Sequence, residues 1–258
     1  MIWSDPFGNV AGSGAPKTAG RWKMRLCRCL AAGLLLCGAV PVEAQEQPVD
    51  VELAFVVDAS GSIDEAETSL QRRGYRDALT NRRVLEAITG GLHGAIAVAY
   101  IEFAADGCER MAVPWTRVAS KKDAAAFGDK ILAQPFMDCQ GGNAVGDALY
   151  FAAASIESNA FKGTRRVIDI SGDGPNTIGR PVRLVRDAIV ARRIVINALA
   201  IERPLMPELP EYFREAVTGG PASFVIKAEN RTAFAAAILK KMILEIVGEP
   251  AGPEFAAR

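Results

Sequence analysis

The stretch Val51-Glu52-Leu53-Ala54-Phe55-Val56-Val57-Asp58-Ala59-Ser60-Gly61-Ser62 is apolar at nearly every position up to Val57 and turns polar at Asp58. A strand with one face in water alternates apolar and polar residues. A run that is apolar at successive positions reads instead as a strand buried on both faces, as in parallel sheets. Asp, Ser and Gly then form a turn. From Asp64 to about Ile88 the chain is rich in helix formers, with Leu70, Leu79, Val84, Leu85 and Ile88 at the apolar positions.

The same alternation continues outward. Residues 95–103 read as a second strand, Asp106-Gly107 as a turn, and residues 111–118 as the partner strand of a hairpin. Pro114 cannot donate a ladder hydrogen bond, so this partner belongs at a sheet edge. Ser120 can cap a helix running to about Leu132, and a loop over 133–142 leads to a helix over 145–158. The strand at 166–170 ends in Ser171-Gly172-Asp173-Gly174. A helix over 181–192, a strand over 194–201, a helix over 210–218 and a short strand over 223–227 follow.

The last helix starts near Thr232 and carries a stripe of Phe234, Ala235, Ile238, Leu239, Met242, Ile243 and Ile246, interrupted by Lys240, Lys241 and Glu245. These elements predict a doubly wound α/β fold. It has a mostly parallel six-stranded sheet, one antiparallel edge strand and helices on both faces. Residues 50–247 form one domain, after a linker at 45–49 and before a frayed tail at 248–258.

Half of the 258 residues are apolar, and 30 Lys/Arg balance 30 Asp/Glu. No basic face points to nucleic acid. Residues 1–44 differ in kind: Arg21, Lys23, Arg25 and Arg28 precede an apolar run from Leu30 to Val40, and Val42-Glu43-Ala44 supplies small residues for cleavage. These features read as a secretory signal, with Met24 as an alternative start. Its apolar core is shorter than the roughly 20 residues that span a bilayer. The expected location is periplasmic or secreted, with no transmembrane segment in the mature chain. Cleavage removes five Lys/Arg and two Asp/Glu, which leaves a net charge of −3.

Ligands of doubly wound sheets bind beyond the carboxyl ends of strands, where the winding reverses. Asp58-Ala59-Ser60-Gly61-Ser62 and Ser171-Gly172-Asp173-Gly174 both end strands, and Gln140-Gly141-Gly142-Asn143 opens a helix on the same rim. Asp58, Ser60, Ser62, Asn143 and Asp173 are all hard oxygen donors. Such a set suits Mg²⁺ first, then Mn²⁺ or Ca²⁺. Asn143 alone serves equally as a helix N-cap. Asp147 reads as a charge favouring a helix N-terminus.

At these residues the chain resembles the von Willebrand factor A domain family and its metal-ion-dependent adhesion site. That family carries Asp-x-Ser-x-Ser after the first strand, a Thr before the third helix and Asp-Gly after the fourth strand. Asp58, Ser60, Ser62 and Asp173 match, while Asn143 stands where the family has Thr. The segments from Arg165 to Asn176 and Val113-Pro114-Trp115-Thr116 look closer still to exported bacterial A-type proteins of unknown function. The resemblance implies a binding module, not an enzyme. Its cation would be shared with an acidic group of a protein or peptide partner.

The alternative is a metal-dependent phosphotransferase or hydrolase using Asp58. In that chemistry a second Asp is expected where Ser60 stands, and no base–nucleophile pair is visible. His93 is the single histidine, read as a surface residue at the far end of the second strand, which removes a Ser-His triad. After signal cleavage only Cys108 and Cys139 remain, in a compartment that permits disulfides, so the two are expected to pair.

Overall fold

The computed structural model describes residues 46–139, 141–229 and 233–248. Residues 1–45, where the secretory signal is expected, Gln140, Thr232 and the tail beyond Gly248 lie outside them. In chain order the strands are β1 (Gln47–Asp58), β2 (Ile96–Phe103), β3 (Arg110–Val118), β4 (Phe161–Gly172), β5 (Val195–Ile201) and β6 (Val225–Ala228). The helices are α1 (Glu65–Leu79), α2 (Arg82–Thr89), α3 (Lys121–Leu132), α4 (Val145–Glu157), α5 (Val182–Ala191), α6 (Leu209–Tyr212) and α7 (Phe234–Val247). A π turn over Phe213–Val217 continues α6.

One sheet has the order β3-β2-β1-β4-β5-β6. All pairings are parallel except β2 with β3, so the strand carrying Pro114 is the antiparallel edge. From β1 the chain winds one way through β2 and β3, and the other way through β4, β5 and β6. The reversal falls between β1 and β4, whose ends are in register at Val57 and Ser171. Side chains of β1 alternate between two cores. Leu53, Phe55 and Val57 pack with α1, α2, α3 and α7, and Ala54 and Val56 with α4, α5 and α6. Burial on both faces is why the run from Val51 to Val57 could dispense with polar alternation.

Several boundaries differ from the sequence expectation, each for a physical reason. β1 begins at Gln47, inside the stretch read as linker, because Gln47 and Val49 pair with Phe161 and Gly163 and Val49 is fully buried. Gln47 N–H points toward β4, so the nitrogen of Pro48 faces the β2 side, where pairing starts only at Val51. The proline therefore forfeits no ladder bond. The 64–88 stretch is two helices, because the Asn81 side chain accepts from Arg83 N–H at 2.9 Å and starts α2 afresh.

β4 extends back from Arg166 through Arg165 and Lys162 to Phe161, and its polar residues masked its first half in the sequence. Arg165 is there to cap α7, donating to the carbonyls of Glu245 at 2.9 Å and Ile246 at 2.6 Å. Lys241 and Glu245 do not face solvent between apolar stripes. They are 0% and 1% exposed and point into the core beside Asp169, also fully buried. His93 is half-buried, and its N–H donates to Asp50 at 2.9 Å. No helix among the described residues is long and apolar enough to cross a membrane.

Candidate metal centre

Asp58 ends β1 and builds the turn that follows. Its Oδ1 accepts from Ser60 N–H at 2.8 Å, and Oδ2 from Asp173 N–H, across the reversal in winding, at 3.4 Å. The turn brings the Ser60 hydroxyl to 3.2 Å from that of Ser62, which donates to Asp173 Oδ1 at 2.9 Å. Asp58, Ser60 and Asp173 are buried and Ser62 is half-buried. The glycines around Asp173 keep this corner open. A Cβ at Gly172 would stand 3.1 Å from Asp58 Oδ2, and one at Gly174 would stand 2.3 Å from Asn143 Nδ2.

Two carboxylates removed from water in one place repel each other and disfavour charge. Burial first, and the charge of Asp173 second, raise the Asp58 carboxyl to about 6. Asp173 Oδ2 has no hydrogen-bond partner among the described residues, and the guanidinium of Arg203 lies 3.5 Å from it. No group of three or more His, Cys, Asp or Glu that could hold a metal occurs among the described residues. What the rim offers is two carboxylates and two hydroxyls, a small and hard oxygen set. An orphaned carboxylate oxygen and a destabilised neighbour are what a divalent cation would relieve, so the residues fit one.

Asn143 reaches the same rim, and its side-chain amide lies against Gly174. It is not the N-cap of α4. That position is Ala144, and Gly146 N–H is satisfied from across the rim by Asn176 Oδ1 at 2.8 Å. Asn143 N–H instead donates to Thr177 Oγ1 at 2.8 Å, and Thr177 N–H donates back to Asn143 O at 2.9 Å. Asp147 lies in the first turn of α4. It also pairs with the Arg180 guanidinium and accepts Arg180 N–H at 2.9 Å, pinning the loop after Asp173. Gly179 makes room for this carboxylate, since a Cβ there would stand 1.7 Å from it. Sequence reading missed Asn176, Thr177, Arg180 and Arg203. Gly174-Pro175-Asn176 was the available signal, a turn ending in a capping residue.

The segment before Asn143 is tied down twice. Cys108, in the β2–β3 turn, forms a disulfide with Cys139. Below it, buried Glu102 receives Arg72 at 2.6 Å and also pairs with Arg110. Those guanidiniums donate onward to the carbonyls of Gln134 and Pro135.

A family model described as "Protein of unknown function (DUF1194)" matches residues 48–250. The chain belongs to this family. Solved structures show that the DUF1194 chain has the fold of von Willebrand factor A domains. Proximal thread matrix protein 1 from the mussel byssus matches with TM-score 0.59 at 15% identity, over 78% of this chain and 49% of that one. The same mussel protein with a zinc-occupied MIDAS motif gives TM-score 0.56 at 15% identity, over 78% and 49%. The pilus adhesin SpaC from Lactobacillus rhamnosus GG gives 0.55 at 15% identity over 78% and 32%. A von Willebrand factor type A structure from Catenulispora acidiphila gives 0.52 at 14% identity over 77% and 43%. The DUF1194 chain thus spans half or less of the length of these structures. No curated protein matches it.

Proposed function

We propose that Asp58, Ser60, Ser62, Asn143 and Asp173 hold a divalent cation, Mg²⁺ ahead of Mn²⁺ or Ca²⁺. On this reading the chain is an exported binding module, periplasmic or secreted, that recruits a protein or peptide through a carboxylate shared with the ion. The observation carrying this reading is the buried Asp173 Oδ2, without a hydrogen bond among the described residues, beside Asp58, Ser60 and Ser62. The charge balance favours an acidic partner. Asp58 and Asp173 would neutralise a divalent ion, but Arg203 already offsets part of Asp173. The loaded centre is left with positive charge at a rim where a partner can approach.

The likeness of fold adds support, since a mussel protein of the same fold carries zinc at its MIDAS motif. The disulfide fits an oxidising compartment. The ion is read here as a fastening point and not as a Lewis acid for hydrolysis, because Ser60 stands where a phosphotransferase would carry its second Asp. Capture from a cell-envelope extract tests this. A partner retained in Mg²⁺ is expected to be lost in EDTA and with Asp58→Ala, whereas retention unchanged under both conditions would overturn the proposal.

A further inference from the structure

Beside the candidate centre a groove of about 430 Å³ opens between the loop after β4 and the loop after β5. Pro175, Leu205, Met206, Leu209 and Tyr212 supply its apolar lining, with Glu208 the one charged residue. Leu205 is 91% and its neighbour Met206 37% exposed, so two large apolar side chains stand in water side by side at the mouth of the groove. The groove is continuous with the rim. Pro175 is two residues beyond Asp173, and Tyr212 Oη accepts the N–H of Asn176 at 3.1 Å. The loop that carries Leu205 and Met206 also carries Arg203, the residue paired with Asp173.

We infer that the partner segment is an extended peptide with an acidic residue and, one or two positions away, a bulky aliphatic or aromatic residue that fills this groove. The inference rests on the proposed metal-dependent reading. Its support is the charge arrangement. Cation and Arg203 attract a carboxylate to the rim, while Glu208 repels one from the groove and leaves apolar side chains as its occupants. Spacing agrees at the near wall of the groove, since the two chain steps from Asp173 to Pro175 span at most about 7 Å and an extended peptide advances about 3.3 Å per residue.

The probe is a set of fluorescein-labelled, blocked hexapeptides of Gly and Ser carrying one Asp, with Leu one or two positions to either side. Matching peptides have Ser for the Leu or Asn for the Asp, and fluorescence polarisation is read in Mg²⁺ and in EDTA. At least one Asp–Leu spacing is expected to bind about tenfold tighter than its Ser counterpart, the effect of burying one leucine. Leu205→Ser is expected to erase that advantage while the Ser peptide binds both proteins alike. Because Leu205 is exposed, an unchanged unfolding midpoint checks that the variant is folded.

Equal binding of Leu and Ser peptides, with both lost in EDTA, would overturn the groove and leave the metal reading standing. Failure of every Asp peptide in Mg²⁺, or binding indifferent to EDTA, would end the metal reading beneath it. A concentration-dependent dimer that Leu205→Ser dissolves, and that no peptide displaces, would assign the groove to a second copy and also overturn the inference.

Discussion

Replacing Lys241 with methionine is expected to destabilise the fold by about 3–5 kcal/mol at neutral pH, the usual effect of removing one partner of a buried ion pair. Lys241 is fully buried on α7, paired with Asp169 on β4 and 2.7 Å from Glu245 Oε1, which also accepts from Asn197 Nδ2 at 3.1 Å. One cation faces two carboxyls. Burial first and the charge of Asp169 second raise Glu245 to about 8, so at neutral pH Glu245 keeps its proton and Lys241 balances Asp169. Methionine preserves the volume of the side chain but leaves the buried Asp169 carboxylate without its cation.

The wild-type chain should show the linked effect. The folded value for Glu245 lies above its ordinary 4.5. Its contribution to stability is therefore complete below about 4.5 and is lost as pH rises through about 8. Glu245→Gln should flatten that slope without the large loss. Urea unfolding of the three proteins at pH 5, 7 and 8.5 decides. A Lys241→Met loss under about 1 kcal/mol at neutral pH, or an equal loss in Glu245→Gln, would contradict this arrangement.

The second large effect belongs to the Cys108–Cys139 disulfide. It closes a loop of 31 residues, and restricting the unfolded chain over that length is worth between about 3 and 4 kcal/mol. Cys108→Ser with Cys139→Ser should lower the unfolding free energy by that amount. The buried Arg72–Glu102 pair, which holds the carbonyls of Gln134 and Pro135, should keep the native loop in place. Reduction is thus expected to lower the melting temperature while leaving the folded spectrum unchanged. Free alkylation of both thiols in the native oxidised protein would contradict the bond.

The contrast between what the sequence revealed and what it hid follows from the range of the interactions. Val51 to Val57 declared a central parallel strand because burial on both faces demands apolar residues at nearly every position, Glu52 being the exception. Asp58, Ser60 and Ser62 were readable because one local turn positions all three. Asp173 was readable because it ends the neighbouring strand. Asn176 was missed because it caps α4 from 30 residues away, and Arg203 because its tie to Asp173 depends on two loops meeting. The first half of β4 was hidden by Lys162 and by Arg165, which caps α7, and Lys241 and Glu245 looked like surface breaks because their partner, Asp169, lies on another element. Asn143 stayed ambiguous in sequence. The cap reading fell only when Ala144 proved to hold that position.

Everything proposed about function rests on a cation at the meeting point of β1 and β4. Anomalous diffraction from crystals grown with Mn²⁺ tests it most directly. The account predicts one strong peak enclosed by the Ser60 and Ser62 hydroxyls, Asp58, Asp173 and Asn143, and absent from Asp58→Ala crystals grown alike. A rim without anomalous density at saturating Mn²⁺, or a peak elsewhere on the chain that survives Asp58→Ala, would contradict it.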